Sequence, residues 1–130
     1  MKQRGTVFFD ISQKEGVFEV SARTMLVGSD IFVVLTGGRS HIGAVSIAQP
    51  RPSIKDAKKI SSTSSVFTRV GHKEDVVAKQ MSEELSKELN KMVVVAAGIH
   101  WDKLKKKDIG LIIEICRTIT KKIIAEVSKE

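Results

Sequence analysis

At 130 residues and 14.3 kDa the chain has room for one domain with a real core, and not for two. Apolar residues make up 42% and charged residues 28%, which excludes a disordered chain, and no apolar run approaches the ~18 residues of a membrane span. Lys and Arg outnumber Asp and Glu 22 to 15, for a net charge of +7.

The positive charge is spread along the chain, apart from Lys103, Lys105, Lys106 and Lys107. Nucleic-acid binders concentrate charge and interleave aromatic residues for stacking. With no Tyr, one Trp and five Phe, this chain is expected to bind neither nucleic acid nor membrane. Met1–Gly5 has no apolar stretch behind it, so no secretory signal is expected. One cysteine, Cys116, excludes an internal disulfide framework and a cysteine zinc site. A cytoplasmic protein is the expectation.

Thr6–Phe9 reads as a short strand and Ser12–Gly16 as a turn. From Val17 to Val27 polarity alternates, with Phe18, Val20, Ala22 and Thr24 on one face, the period of a half-buried strand. Gly28-Ser29-Asp30 is a tight turn. Ile31–Thr36 is a continuous β-branched and aromatic run suited to a central strand. Gly37–His41 interrupts it, read as a hairpin or bulge between neighbouring strands. Ile42–Ala48 resumes as a strand, which Gln49-Pro50-Arg51-Pro52 is expected to stop.

Residues 53–60 suit one helical turn. Ser61–Ser65 has the composition of a linker, but Val66–Val70 is strand-like, so a fifth strand is predicted within 63–70. Val77, Ala78, Met81, Leu85 and Leu89 recur at helical spacing, and Asn90 suits that helix's end. Met92–Ala97 is a short buried strand and Gly98–Asp102 a loop. Ile109, Ile112, Cys116, Ile119 and Ile123 share one face of a last helix over Lys107–Val127. Ile113 and Ile124 widen that stripe, suggesting apolar surface for a two-fold contact. The expected fold is α+β: a single, mostly antiparallel sheet of five to six strands with two long helices on one face, in the order β-β-β-β-β-α-β-α.

Each of the three histidines sits beside glycine where a strand ends or a helix begins: Gly38-Arg39-Ser40-His41, Gly71-His72 and Gly98-Ile99-His100. Glycine permits close approach to the backbone, and histidine supplies a donor, an acceptor or a proton carrier near neutral pH. Glu74 and Asp75 follow His72, and Asp102 follows His100. Gly37–His41 can cradle an anion through backbone amides and Arg39. His72 or Lys73 can meet an anion at a helix N-terminus, although Glu74 and Asp75 satisfy the same dipole without a ligand. If strands 63–70 and 92–97 run parallel, their C-terminal ends share one sheet edge. His72 and His100 then approach each other with Asp102 near, and His41 joins them if strand 31–36 runs the same way. No metal-ligand spacing of the H-x₃-H type occurs, so no metal site is assigned. No nucleophile is evident, because Cys116 falls on an apolar helix stripe.

Three blocks, Gly37-Gly38 with His41-Ile42-Gly43-Ala44-Val45, then Gly71-His72-Lys73-Glu74-Asp75, then Gly98-Ile99-His100-Trp101-Asp102, resemble the signature blocks of the prenylated flavin chaperone-like family, named for an accessory component of bacterial gallate decarboxylase. The resemblance spans about residues 17–126. Val70, Glu74 and Trp101 depart from residues often seen in the family. The resemblance implies a fold similar to the small proteasome assembly chaperones, often paired as a homodimer. It also implies a non-catalytic accessory role beside decarboxylases that use prenylated flavin mononucleotide, with that cofactor or the decarboxylase as ligand or partner. The candidate binding residues are Gly37, Gly38, Arg39, His41, Gly71, His72, Lys73, Gly98, His100 and Asp102. An assembly module acting through protein surfaces, and a small enzyme using the histidine loops, are the competing readings.

Overall fold

The computed structural model describes residues 7–70 and 74–129. Its elements are β1 (Val7–Glu15), β2 (Phe18–Val27), β3 (Asp30–Gly38), β4 (Ala44–Pro52), β5 (Ile60–Thr68), α1 (Asp75–Leu89), β6 (Val93–His100) and α2 (Lys106–Ser128). The strands form one sheet ordered β1-β2-β3-β6-β4-β5. Neighbours are antiparallel except β3 and β6, which are parallel. This is the α+β architecture that the residue pattern predicts.

The neighbours of the central strands differ from expectation. Strands 31–36 and 42–48 do not form a hairpin, because β6 lies between them. Val93, Val95, Ala96 and Ala97 of β6 are all buried, and a strand with little polar surface on either face is most stable in the middle of a sheet. Residues 39–43 therefore cross the end of β6. By the same insertion β5 and β6 run in one direction but are separated by β4, and the parallel partner of β6 is β3.

Other boundaries also move. β6 does not end at Ala97 but runs through Gly98, Ile99 and His100, which pair with Thr36, Gly37 and Gly38 of β3. β1 runs through Ser12, Gln13 and Lys14, paired with Ser21, Val20 and Glu19, and the turn shrinks to Gly16-Val17, with Gly16 at φ +61°. β4 continues through both prolines. Its pairing with β6 ends at Ala48, so Pro50 and Pro52 lie where β4 has β5 alone as a neighbour and an open side tolerates a missing donor. The serine run is strand rather than linker: Ser62 Oγ donates to the Glu83 carbonyl at 2.9 Å and Ser64 Oγ to Glu83 Oε2 at 2.6 Å, tying β5 to α1. Residues 53–59 form a turn closed by Ser53 N–H to the Lys59 carbonyl at 2.8 Å, not a helical turn.

Both helices cover one sheet face. Rows such as Thr24–Val33–Val95–Ser46 lie beneath them, and Val77, Met81 and Leu85 of α1 and Ile115, Ile119 and Ile123 of α2 complete the core. Ser46 and Ser82 share a buried 2.6 Å hydrogen bond that fixes α1 on β4. Asn90 ends α1 in the left-handed conformation, φ +53°, with its N–H on the Ser86 carbonyl. Ile113 and Ile124 are partly buried against the core, so the widened stripe of α2 is largely absorbed within the chain. The uncovered apolar surface is on the opposite sheet face, where Phe8, Met25, Phe32, Val94 and Ile47 follow one another across five strands.

Candidate functional site

β3, β5 and β6 point the same way, so the loops after all three begin at one sheet edge. The loop after β3 is bound directly to the end of β6: Arg39 N–H donates to the His100 carbonyl at 3.0 Å, and Gly43 N–H to the Ala97 carbonyl at 2.8 Å. Glycines make this crossing possible. A Cβ on Gly98 would lie 1.6 Å from the His41 carbonyl oxygen, and one on Gly38, at φ +68°, would lie 2.1 Å from the His100 carbonyl oxygen. The space over Gly37 is filled by the Trp101 ring, 2.8 Å from where a Cβ would be. These three glycines thus admit close approach of the protein's own chain.

The crossing carries His41 to a buried position. Its Nδ1–H donates to the Arg39 carbonyl at 2.9 Å, and its Nε2 faces Glu74 Oε1 at 3.5 Å. Both side chains are almost enclosed, 16% and 10% exposed. Glu74 is the N-cap residue of α1 but makes no side-chain capping bond. Its carboxylate instead packs over Gly43, where a Cβ would lie 1.3 Å from Oε2. Nothing local in the sequence ties Glu74 to His41, and helix-dipole chemistry alone explains an acid at that position; only the crossing of β6 brings the two together.

His100 forms a second, exposed group. Its Nε2–H donates to Asp102 Oδ1 at 3.0 Å, and Arg39 Nη2 stands 3.9 Å from the same oxygen. The His41 and His100 rings are 6.4 Å apart, edge to face. The structure therefore brings together Arg39, His41, His100 and Asp102 from the predicted set and adds Glu74. Gly71, His72 and Lys73 lie outside the described residues. Among the described residues no three His, Cys, Asp or Glu side chains are grouped to hold a metal ion.

Beside these groups is a cavity of 640 Å³. α1 contributes Val76 and Val77 to its wall, α2 Ile109 and Ile113, the end of β6 Ile99, and the loop that follows it Trp101. Trp101 is braced edge-on by Phe18 at 5.0 Å. Among the described residues the polar ones lining it are Glu74 and His100. An apolar volume of this size with a few fixed polar groups suits a small organic molecule better than an inorganic ion. Cys116 lies away from this cavity, and burial pushes its thiol up to about 12, which leaves it a poor nucleophile at neutral pH.

The profile of the prenylated flavin chaperone LpdD-like domain matches residues 14–128. The chain belongs to that family. Protein LpdD of Lactiplantibacillus plantarum is 24% identical over 109 residues, which is 83% of this chain and 76% of the relative. Among solved structures, the crystal structure of a chaperone complex for yeast 20S proteasome assembly superposes with a TM-score of 0.57, covering 95% of this chain and 96% of that one. At 13% identity that likeness is one of fold. Both halves of the resemblance carried by the three Gly-His blocks, the family and the proteasome-assembly-chaperone architecture, are thereby found, and family membership supports a chaperone role. No helix among the described residues is long and apolar enough to cross a membrane.

Proposed function

We propose that the chain is a non-catalytic cytoplasmic chaperone that holds a prenylated flavin mononucleotide on behalf of a decarboxylase partner. The observation that carries this reading is the 640 Å³ cavity at the histidine-bearing sheet edge. A flat, largely apolar ring system extended by a prenyl-derived ring matches walls of Val, Ile and Trp. The flavin supplies its redox and carbon-bond chemistry inside the decarboxylase; this chain's own residues bind, orient and shield it. Ile99, Trp101 and Ile113 would hold the rings, and Glu74 and His100 would meet polar atoms. Titrating the protein into flavin mononucleotide and following flavin anisotropy tests the reading. Saturable binding that is lost when Val76→Trp fills the cavity supports it; no binding by wild-type protein overturns it.

A homodimer is the second part of the reading, and the open sheet face favours it. Phe32, Val34 and Ile47 are exposed there, and Phe67 is 71% exposed. The Asp10–Arg23 ion pair lies at one flank of this apolar field. A two-fold contact lets one such patch cover its own copy, with the helices left outside. Light scattering that gives twice the chain mass for wild-type protein and a single chain for Phe32→Glu supports this contact. A single-chain mass at all micromolar concentrations refutes it.

A further inference from the structure

β5 is an edge strand: among the described residues its sheet neighbour is β4, and α1 lies over one of its faces. Arg69 N–H donates to the Gly43 carbonyl at 2.8 Å. Residues of an antiparallel ladder alternate between turning both backbone groups to the neighbour and turning both away. Ser61, Thr63, Ser65 and Phe67 therefore turn to β4, and Ser62, Ser64 and Val66 turn their N–H and C=O groups outward. The prolines agree: Pro50 and Pro52, opposite Ser62 and Ile60, occupy the positions of β4 that owe β5 no donor. Edge strands are ordinarily guarded by charge, proline or a bulge. β1, the other edge, carries Asp10, Lys14 and Glu15. β5 has no charged residue, no Pro and no Gly over its nine residues, and it pairs with β4 without a bulge.

We propose that β5 is a docking edge, to which an extended acidic segment of a partner protein adds as a further strand. The outward backbone groups supply the pairing, and the surrounding charge sets the chemistry of the segment. Lys58 and Lys59 precede β5 and Arg69 follows it, all exposed. Asp56, the acid of the preceding turn, accepts from the Lys58 backbone N–H at 3.1 Å, and Glu83, the acid over the strand, is held by Ser64 and Lys79, both at 2.6 Å. The segment that fits is small and uncharged in its middle and acidic at its ends. A cavity of 530 Å³ reaches the start of this edge, where Ser61 and Ser62 line it together with Lys87 of α1, and gives a side chain of the added strand a place to enter. A second copy of this chain fits less well. Paired antiparallel on itself about Ser64, β5 would set Lys59 against Arg69 across the contact, like charge on like charge. None of these residues lines the cavity at the histidine-bearing edge, so this docking edge does not depend on what that cavity holds.

The test uses the full chain and two fluorescein-labelled peptides with the same alternating Val-Thr centre, one with acidic ends and one with lysine ends. The acidic peptide is expected to bind saturably by fluorescence polarisation, and the lysine-ended one roughly 3-fold or more weaker. Lys58→Glu with Lys59→Glu should weaken the acidic peptide by a similar factor of roughly 3 or more. Amide exchange followed by NMR locates the contact. The N–H groups of Ser62, Ser64 and Val66 should exchange fast in the free protein and slow when the acidic peptide is added, while those of Thr63 and Ser65 are slow throughout. Failure of the acidic peptide to bind, or equal affinity for the two peptides, overturns the proposal. So does binding that leaves Ser62, Ser64 and Val66 fast, which puts the peptide elsewhere. Slow exchange at those three positions in the free protein overturns it as well, and identifies a second copy as the occupant if dilution restores fast exchange.

Discussion

Replacing Gly98 by alanine should be the most damaging small change at the site. The new Cβ would sit 1.6 Å from the His41 carbonyl oxygen, so the crossing loop must retreat by about 1.8 Å to reach ordinary contact. That retreat pulls on the two backbone hydrogen bonds that fasten the loop to β6, Arg39 to His100 and Gly43 to Ala97. Overpacking costs about 1–3 kcal/mol and each hydrogen bond about 1 kcal/mol, together about 3–5 kcal/mol. For a domain of this size each kcal/mol moves Tm by roughly 3–5 °C, so a fall of about 10–25 °C is expected. Gly110→Ala is the control. Its Cβ enters open space on the exposed side of α2, where alanine is the better helix former, so its Tm should not fall. Differential scanning calorimetry of both variants decides the matter. A Gly98→Ala protein melting within about 2 °C of wild type, or Gly110→Ala falling as far, would refute the crossing geometry.

Cys116 should be nearly inert to alkylation in the folded protein at pH 8 and react on unfolding, since burial keeps it a neutral thiol. Its folded value is raised, so its contribution to stability is intact below the ordinary thiol range and declines as pH rises from about 9 toward 12. The loss has an upper bound of about 4 kcal/mol, and Cys116→Ala should flatten this part of the pH profile. Glu83 behaves in the opposite sense. Partial burial pushes its carboxyl up, but hydrogen bonds from Lys79 and Ser64 and the Lys79 charge outweigh this and lower it. Its contribution is therefore present above the usual carboxylate range and lost as pH falls through the lowered value. The stability gap between wild type and Glu83→Gln, measured by urea unfolding, should shrink on acidification below about pH 4.

The parts of the fold set by periodicity were legible in the chain. Alternation in Phe18–Val27 and the Val77–Leu89 stripe place β2 and α1 and choose their buried faces. Strand neighbours were not legible, because the run Val93–Ala97 says that β6 is buried and does not say between which strands. That insertion turns Gly37–His41 from a hairpin into a crossing loop, and the site depends on it. The glycines at 37, 38 and 98 announced close approach, but the approaching group is the protein's own backbone and Trp101. His100 with Asp102 could be read from adjacency. His41 with Glu74 could not, since two loops from different strands meet only after β6 is in place.

The most direct test of the account is the indole N–H resonance of Trp101, the chain's single tryptophan and part of the cavity wall, followed by NMR as flavin mononucleotide is added. The account predicts a saturable shift of that resonance with the same midpoint as the flavin anisotropy. A Trp101 signal that stays in place while the flavin is bound would put the ligand elsewhere and contradict it.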